Sequence, residues 1–316
     1  MIFFWAVFWG AAGTLFSMAL ASRWGVVDRP GVLKIHDVPV PRLGGLGMAL
    51  AFCVLLPAPS WGAAGSLVMA LVGAVDDRWD LSPNHKLLGQ FGGGLCLALP
   101  WILRGAPGTA LIMLLGAVFL ANAVNLLDGM DGLAAGVTAI GVTGIAVIHA
   151  SRGLLPTVPL ILAGASVGFL LWNLSPARTF MGDVGSLFLG GALAWQIGGV
   201  YSADLSALLG CLFCVGVPCF DTLLGIARRL VTGRPILSGD RDHFYDQLAR
   251  RWGDRKRAVR AAWQLAAILA LTGQGVASLP PEGALTMTVL AVAALGWISV
   301  EGGFLYPHGR AVRTKP

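Results

Sequence analysis

The carboxylates of this chain fall in a pattern suited to work on phosphates. Asp76 and Asp77 are adjacent and directly follow an apolar run ending Gly73-Ala74-Val75. Two neighbouring carboxylates at the edge of an apolar segment repel each other, and desolvation adds to the cost. A divalent cation or a cationic side chain relieves both effects, although the pair alone fits a solvated loop equally well. Lys86 follows within the same polar stretch and offers a point charge to a phosphate. A second set, Asn122, Asn125, Asp128 and Asp131, recurs at every third position. Steps of three keep residues on one helix face with modest drift. Two carboxylates and two amides at a helix end make an oxygen-rich surface suited to Mg2+ and to sugar or base hydroxyls. Capping accounts for one such residue, hardly for four. Asp183 stands between Gly182 and Gly185 at the start of a further apolar run. There it either complements a helix dipole or binds a metal, with glycines that let a phosphate approach. Asp221 lies near the end of another span, where ionisable residues usually face a polar cavity or a partner.

Two cationic stretches complete the set. Residues 28–45 form a Pro-punctuated loop carrying Lys34, His36 and Arg42, and residues 239–247 carry Arg241 and His243. Arg241 and His243 are candidate phosphate contacts. The run from Arg250 to Arg260 reads as a basic amphipathic face on anionic lipid.

The elements that must position these residues are membrane helices. Of 316 residues, 56% are hydrophobic and 12% charged, with a mean hydropathy of +0.75. A soluble domain is typically about 45–50% apolar and about 25% charged. Soluble, disordered, collagen-like and disulfide-scaffold classes are excluded, and a polytopic, all-α transmembrane bundle remains. The 44 glycines fit that class. The net charge of +6 is read as loops that orient helices against an anionic leaflet, not as a nucleic-acid footprint. The five cysteines lie in apolar runs, and the Cys211–Cys214 pair reads as buried hydrophobes. The apolar N-terminus lacks a basic leader and reads as a retained first span.

Eleven candidate spans follow: 2–21, 44–58, 61–75, 87–103, 109–125, 133–150, 156–173, 185–201, 206–227, 261–279 and 284–305. The second and third are short, so the count is ten or eleven. With the N-terminus outside, the inner segments 22–43, 76–86, 122–132, 174–184, 228–260 and 306–316 hold 20 of the 22 Lys and Arg residues. This places the C-terminus in the cytoplasm. Of the 16 acids, only Asp204 and Glu282 fall in outer loops. Acids and bases gathered on one face imply a polar site there. The chain is read as one integral-membrane domain, 1–316, with that site built from the inner loops.

Four stretches in order, KIHDVPVPRLGG at 34–45, DDRWDLSPNHKLLGQ at 76–90, NAVNLLDGMDGLAAG at 122–136 and FMGDVGS at 180–186, resemble the polyprenyl-phosphate N-acetylhexosamine-1-phosphate transferase family. A fifth, DRDHFYDQL at 240–248, is similar to its histidine loop. The resemblance spans residues 28 to about 250 and implies a reaction. A polyprenyl phosphate, such as undecaprenyl phosphate, attacks the sugar-linked phosphorus of a UDP-sugar, most simply UDP-GlcNAc, and UMP leaves. It implies Mg2+, with Mn2+ as an alternative. Asn125 and Asp183 then match metal ligands, and Asp76 and Asp77 the catalytic acids near the lipid phosphate. Asp128, Asp131 and His243 join the catalytic set. Lys34, Arg42, Lys86, Asn122 and Arg241 join the substrate-binding set. Implied partners are the UDP-sugar, the lipid phosphate and the bilayer, with a homodimer as an option and no nucleic acid. The implied place is a bacterial inner membrane, with the site facing the cytoplasm.

One departure bears on the sugar. GlcNAc-type relatives often carry HxHH in the last loop, and the peptidoglycan enzyme three His followed by an acid; here the run is His243-Phe244-Tyr245-Asp246. This argues against the peptidoglycan step and leaves GlcNAc or a modified hexosamine of O-antigen, lipopolysaccharide or capsule. Two rival readings fit the pattern less well. A transporter would place ionisable residues near the midplane. A CDP-alcohol phosphotransferase would need an Arg soon after the second Asp-Gly step, and none follows Asp131 until Arg152.

Overall fold

A chain this apolar can satisfy its backbone inside a bilayer only as helix or closed barrel, and it does so as helix. The computed structural model describes residues 1–29, 38–201, 204–235 and 242–306. The order is α1 (Ile2–Trp24), β1 (Val27–Asp28), β2 (Val40–Pro41), α2 (Gly44–Leu55), α3 (Trp61–Trp79), α4 (Pro83–Leu103), α5 (Pro107–Leu127), α6 (Leu133–Ser151), α7 (Thr157–Asn173), α8 (Gly182–Tyr201), α9 (Leu205–Cys214), α10 (Gly216–Thr232), α11 (Phe244–Trp252), α12 (Arg255–Ala277) and α13 (Pro281–Glu301). Short polar signals set the starts. Ser60 accepts the Ala63 N–H at 3.1 Å and caps α3. Ser82 precedes Pro83 at the first turn of α4, where a missing N–H costs nothing. Asp204 and Asp254 cap α9 and α12 in the same way.

Helix α8 is the centre of the bundle. Its apolar window is 83% buried, against 11% for the peripheral α13, and it lies against α3 and α5. Phe188 of α8 meets Phe52 of α2 edge-on, with centroids 5.3 Å apart, and Trp195 lies 6.3 Å from the same ring. Phe4, Trp5 and Phe8 on α1 and Val289 and Trp297 on α13 face outward, the surface a bilayer covers.

Each of the eleven candidate segments is helical. Among the described residues, α1, α4, α5, α6, α8 and α13 are long and apolar enough to cross by themselves. The 206–227 segment is two helices, α9 and α10, bent by 74°. Pro218 has no N–H to give the Cys214 carbonyl, so the helical ladder breaks there. Counted as one span, the pair makes a seventh. Helices α2 and α7 are shorter apolar helices. Helices α3 and α12 carry Asp76-Asp77-Arg78 and Arg255-Lys256-Arg257 within their own last and first turns.

Two connections matter for the site. β1 and β2 pair antiparallel, Val27 with Pro41 and Asp28 with Val40. β2 is stitched to the segment before α8: Phe180 N–H donates to the Pro41 carbonyl at 2.8 Å, and Gly44 and Gly45 N–H donate to the Phe180 and Met181 carbonyls at 2.9 Å. Arg42 is thereby held beside the first turn of α8.

Candidate active site

The acid pair sits in the last turn of α3, not in a loop after it. Successive helical residues point about 100° apart, so the two carboxylates part company. Asp77 turns inward. Its side chain is 0% exposed. Its Oδ1 accepts the Asp183 N–H and its Oδ2 the Val184 N–H, both at 3.0 Å. These belong to the N–H groups that open α8 and have no partner within it. Asp77 therefore caps α8 from another helix, with the Arg42 guanidinium 3.5 Å from Oδ1. Gly182 makes the junction possible. Its φ is +68°, and a Cβ there would lie 2.0 Å from the Arg42 carbonyl oxygen and 2.5 Å from Asp77 Oδ2.

Asp76 turns toward α4. Its Oδ1 accepts the Leu81 N–H at 2.8 Å and its Oδ2 lies 3.2 Å from Lys86 Nζ. The same ammonium contacts Asp183 Oδ2. From α5, the Asn125 amide donates to Asp183 Oδ1 at 2.9 Å and to Ser186 Oγ at 3.0 Å. Residues 76, 86, 125 and 183, from four helices, thus meet at one point.

The remaining expected residues surround that point to different degrees. Asn122 is engaged beside it, in a reciprocal amide pair with buried Gln90 at 2.7 and 3.3 Å and with the Val118 carbonyl. Asp131 Oδ2 accepts the Ala177 N–H at 3.1 Å, tying the α5–α6 loop to the segment leading into α8. Asp128 follows the last residue of α5. Burial pushes its carboxyl up to about 7, the charges of Asp77 and Asp131 add to this, and Arg42 opposes it. His243 pairs with Asp221, its Nδ1 2.7 Å from Oδ2. Lys34 and Arg241 lie outside the described residues.

Sequence reasoning missed two parts. Ser186 stands one helical turn after Asp183, at the end of the FMGDVGS stretch, and accepts from the Asn125 amide. Asn173 was not singled out: its Oδ1 accepts the Gly132 N–H and its Nδ2 donates to the Thr179 carbonyl, both at 2.9 Å. It locks the Asp128–Asp131 loop to the α8 entry. A buried Asn closing an apolar helix was the available signal.

The donor set fits a hard cation. A positive charge already lies between the carboxylates of Asp76 and Asp183, and it belongs to Lys86. No three His, Cys, Asp or Glu group as a complete cage among the described residues. Mg2+ seldom needs one, because it is usually held by one or two carboxylates together with substrate phosphates.

Comparison with known proteins places a family match over the helices that carry this site. The sequence profile of glycosyl transferase family 4 matches residues 61–199, the stretch from α3 to α8. A decaprenyl-phosphate N-acetylglucosaminephosphotransferase of Mycolicibacterium smegmatis is 34% identical over 337 aligned positions, covering 87% of this chain and 82% of the relative. The chain belongs to glycosyl transferase family 4. A probable undecaprenyl-phosphate N-acetylglucosaminyl 1-phosphate transferase of Bacillus subtilis is 33% identical, covering 72% of this chain and 71% of the relative. A phospho-N-acetylmuramoyl-pentapeptide-transferase of Moorella thermoacetica is 34% identical, covering 74% and 83%. Family 4 similarity thus runs to relatives named for either kind of sugar. The family is one of transferases acting on phosphosugars, and this member of it is a multi-pass membrane protein.

Proposed function

We propose that this family 4 enzyme transfers N-acetylglucosamine 1-phosphate from UDP-GlcNAc to undecaprenyl phosphate. An oxygen of the lipid phosphate attacks the phosphorus joined to the sugar. The bond from that phosphorus to the UMP oxygen breaks, UMP leaves, and the lipid diphosphate sugar forms. The meeting of Asp76, Lys86, Asn125 and Asp183 at one end of the bundle carries the reading. Two phosphorylated reactants bring several negative charges together, and catalysis of such transfers is mostly positioning and charge neutralisation.

Asp183 and Asn125 would hold Mg2+, with Asp76 alongside; bound there, the ion would neutralise charge on the donor diphosphate. Lys86 is then placed to move from the carboxylates onto a phosphate oxygen. Arg42 lies at the same junction and supplies a second cation. Asp77 acts by fixing the first turn of α8, since both its oxygens are committed to that turn. The lopsided distribution of Lys and Arg supports a cytoplasmic site in a bacterial inner membrane. A transporter would carry its ionisable groups at mid-depth, whereas Asp76, Asp77, Asp128 and Asp183 gather at the ends of α3, α5 and α8.

The test is UMP release by the purified protein with undecaprenyl phosphate, Mg2+ and a panel of UDP-sugars. UDP-GlcNAc is expected to give the highest kcat/KM. No release with any UDP-N-acetylhexosamine would falsify the proposal.

A further inference from the structure

The histidine loop holds its one histidine by a device that family membership does not assign. Asp221 lies in the second turn of α10 and is 1% exposed. Both its oxygens are used: Oδ2 lies 2.7 Å from His243 Nδ1, and Oδ1 accepts the Phe244 N–H at 2.8 Å. With Oδ1 taken by the Phe244 N–H, Oδ2 meets the Nδ1 edge of the imidazole, and the Nε2 edge is turned away from Asp221. On the face of the imidazole lies Tyr245, its ring centroid 5.4 Å away and its plane 4° from parallel. The Tyr245 hydroxyl donates to the Leu126 carbonyl at 2.8 Å. That carbonyl is among the last of α5, which the helix itself leaves without a partner. Gly129 leaves room for the hydroxyl, since a Cβ there would lie 2.3 Å from it. His243 and Tyr245 are both buried. The imidazole is thus gripped at its edge from α10 and on its face from α11. The second grip is anchored to the end of α5, two residues before Asp128.

We infer that Asp221 and Tyr245 are positioning residues that hold His243 in one ring orientation toward the donor diphosphate. The inference rests on the function proposed above. It gives a physical role to the tyrosine that stands where GlcNAc-type relatives carry a further histidine: the ring is a fixed platform, not a second phosphate contact.

The test is a set of double-mutant cycles with His243→Gln, read as kcat and KM for UDP-GlcNAc. Asp221→Asn keeps the volume but turns an acceptor into a donor. It should lower kcat about 10- to 100-fold, with KM changed less than about threefold. Tyr245→Phe keeps the platform and removes only its anchor; it should lower kcat about 3- to 10-fold. In the His243→Gln background each change should cost less than about twofold, because each acts through the imidazole. Losses that multiply in the double variants overturn the inference. If Asp221→Asn shows no cooperative thermal unfolding in detergent, the Tyr245→Phe cycle decides alone. A wild type that releases no UMP overturns the proposed function and this inference with it, whereas an active wild type with multiplying losses overturns the inference only.

Discussion

The two ends of the bundle treat charge in opposite ways. At the end where α6 finishes, Arg152 Nε meets Asp204 Oδ2 at 2.5 Å, and its Nη2 meets the Ala277 carbonyl. One cation closes α6, α9 and α12 together. Burial alone would raise the Asp204 carboxyl, but the Ala207 N–H and Arg152 hold it below the usual carboxylate range. At the other end, Asp76, Asp77, Asp128, Asp131 and Asp183 draw together, while the cations paired with them among the described residues are Arg42 and Lys86. Asp128 is pushed up to about 7 by its burial and its acidic neighbours. The first end is electrostatically finished. The second sets five acids against two paired cations among the described residues, an imbalance of the kind that costs stability and is typical of functional sites.

Substitutions can sharpen that contrast. The largest effect is expected for Asp183→Asn, which removes the carboxylate that both Lys86 and Asn125 address. Transfer should fall by about 100- to 1,000-fold, measured as UMP release, with unfolding temperature unchanged or raised. Asp77→Ala comes next and differs in kind. It strips the cap from α8, so stability should fall by about 1–2 kcal/mol along with activity. Asp76→Ala should lower activity without that destabilisation. Thermal unfolding of both variants in detergent separates them, and equal destabilisation would remove the distinction drawn between the two acids. At the finished end, Arg152→Ala should lower the unfolding temperature but leave kcat within about twofold, since surface changes away from the site act mainly on stability.

The smallest effect is a pH dependence. Burial pushes the Asp128 carboxyl of the folded protein up to about 7, from an ordinary value of 3.8. Between those values the folded protein binds more protons than the unfolded chain, so stability falls as pH rises through that window. Asp128→Asn has no charge to place there. Its gain in unfolding temperature over wild type should be near zero at pH 4, grow toward pH 7 and level off above it. A gain independent of pH would show that the buried charge is not its source.

Much of the site was legible in the sequence because its parts are short and locally dense. The acid pair, the three-residue spacing from Asn122 to Asp131 and the glycine-flanked Asp183 each signal chemistry alone, and the fold brings Asp76, Asn125 and Asp183 together. What was hidden depended on helix phase and on contacts distant in sequence. Asp76 and Asp77 look equivalent as neighbours. Only the extension of α3 through residue 79 sends one to Lys86 and the other under α8. The spacing of Asn122 gives no sign of its partner Gln90, which reaches it from another helix. The break between α9 and α10 was written in Pro218, but hydropathy averages across it and reported one span.

Whether a divalent cation is shared by side chains from separate helices is tested most directly by electron paramagnetic resonance of Mn2+ added to the purified protein with UDP-GlcNAc. One saturable site is predicted in the wild type and its loss in Asp183→Asn. Saturable binding that is the same in both proteins would contradict it.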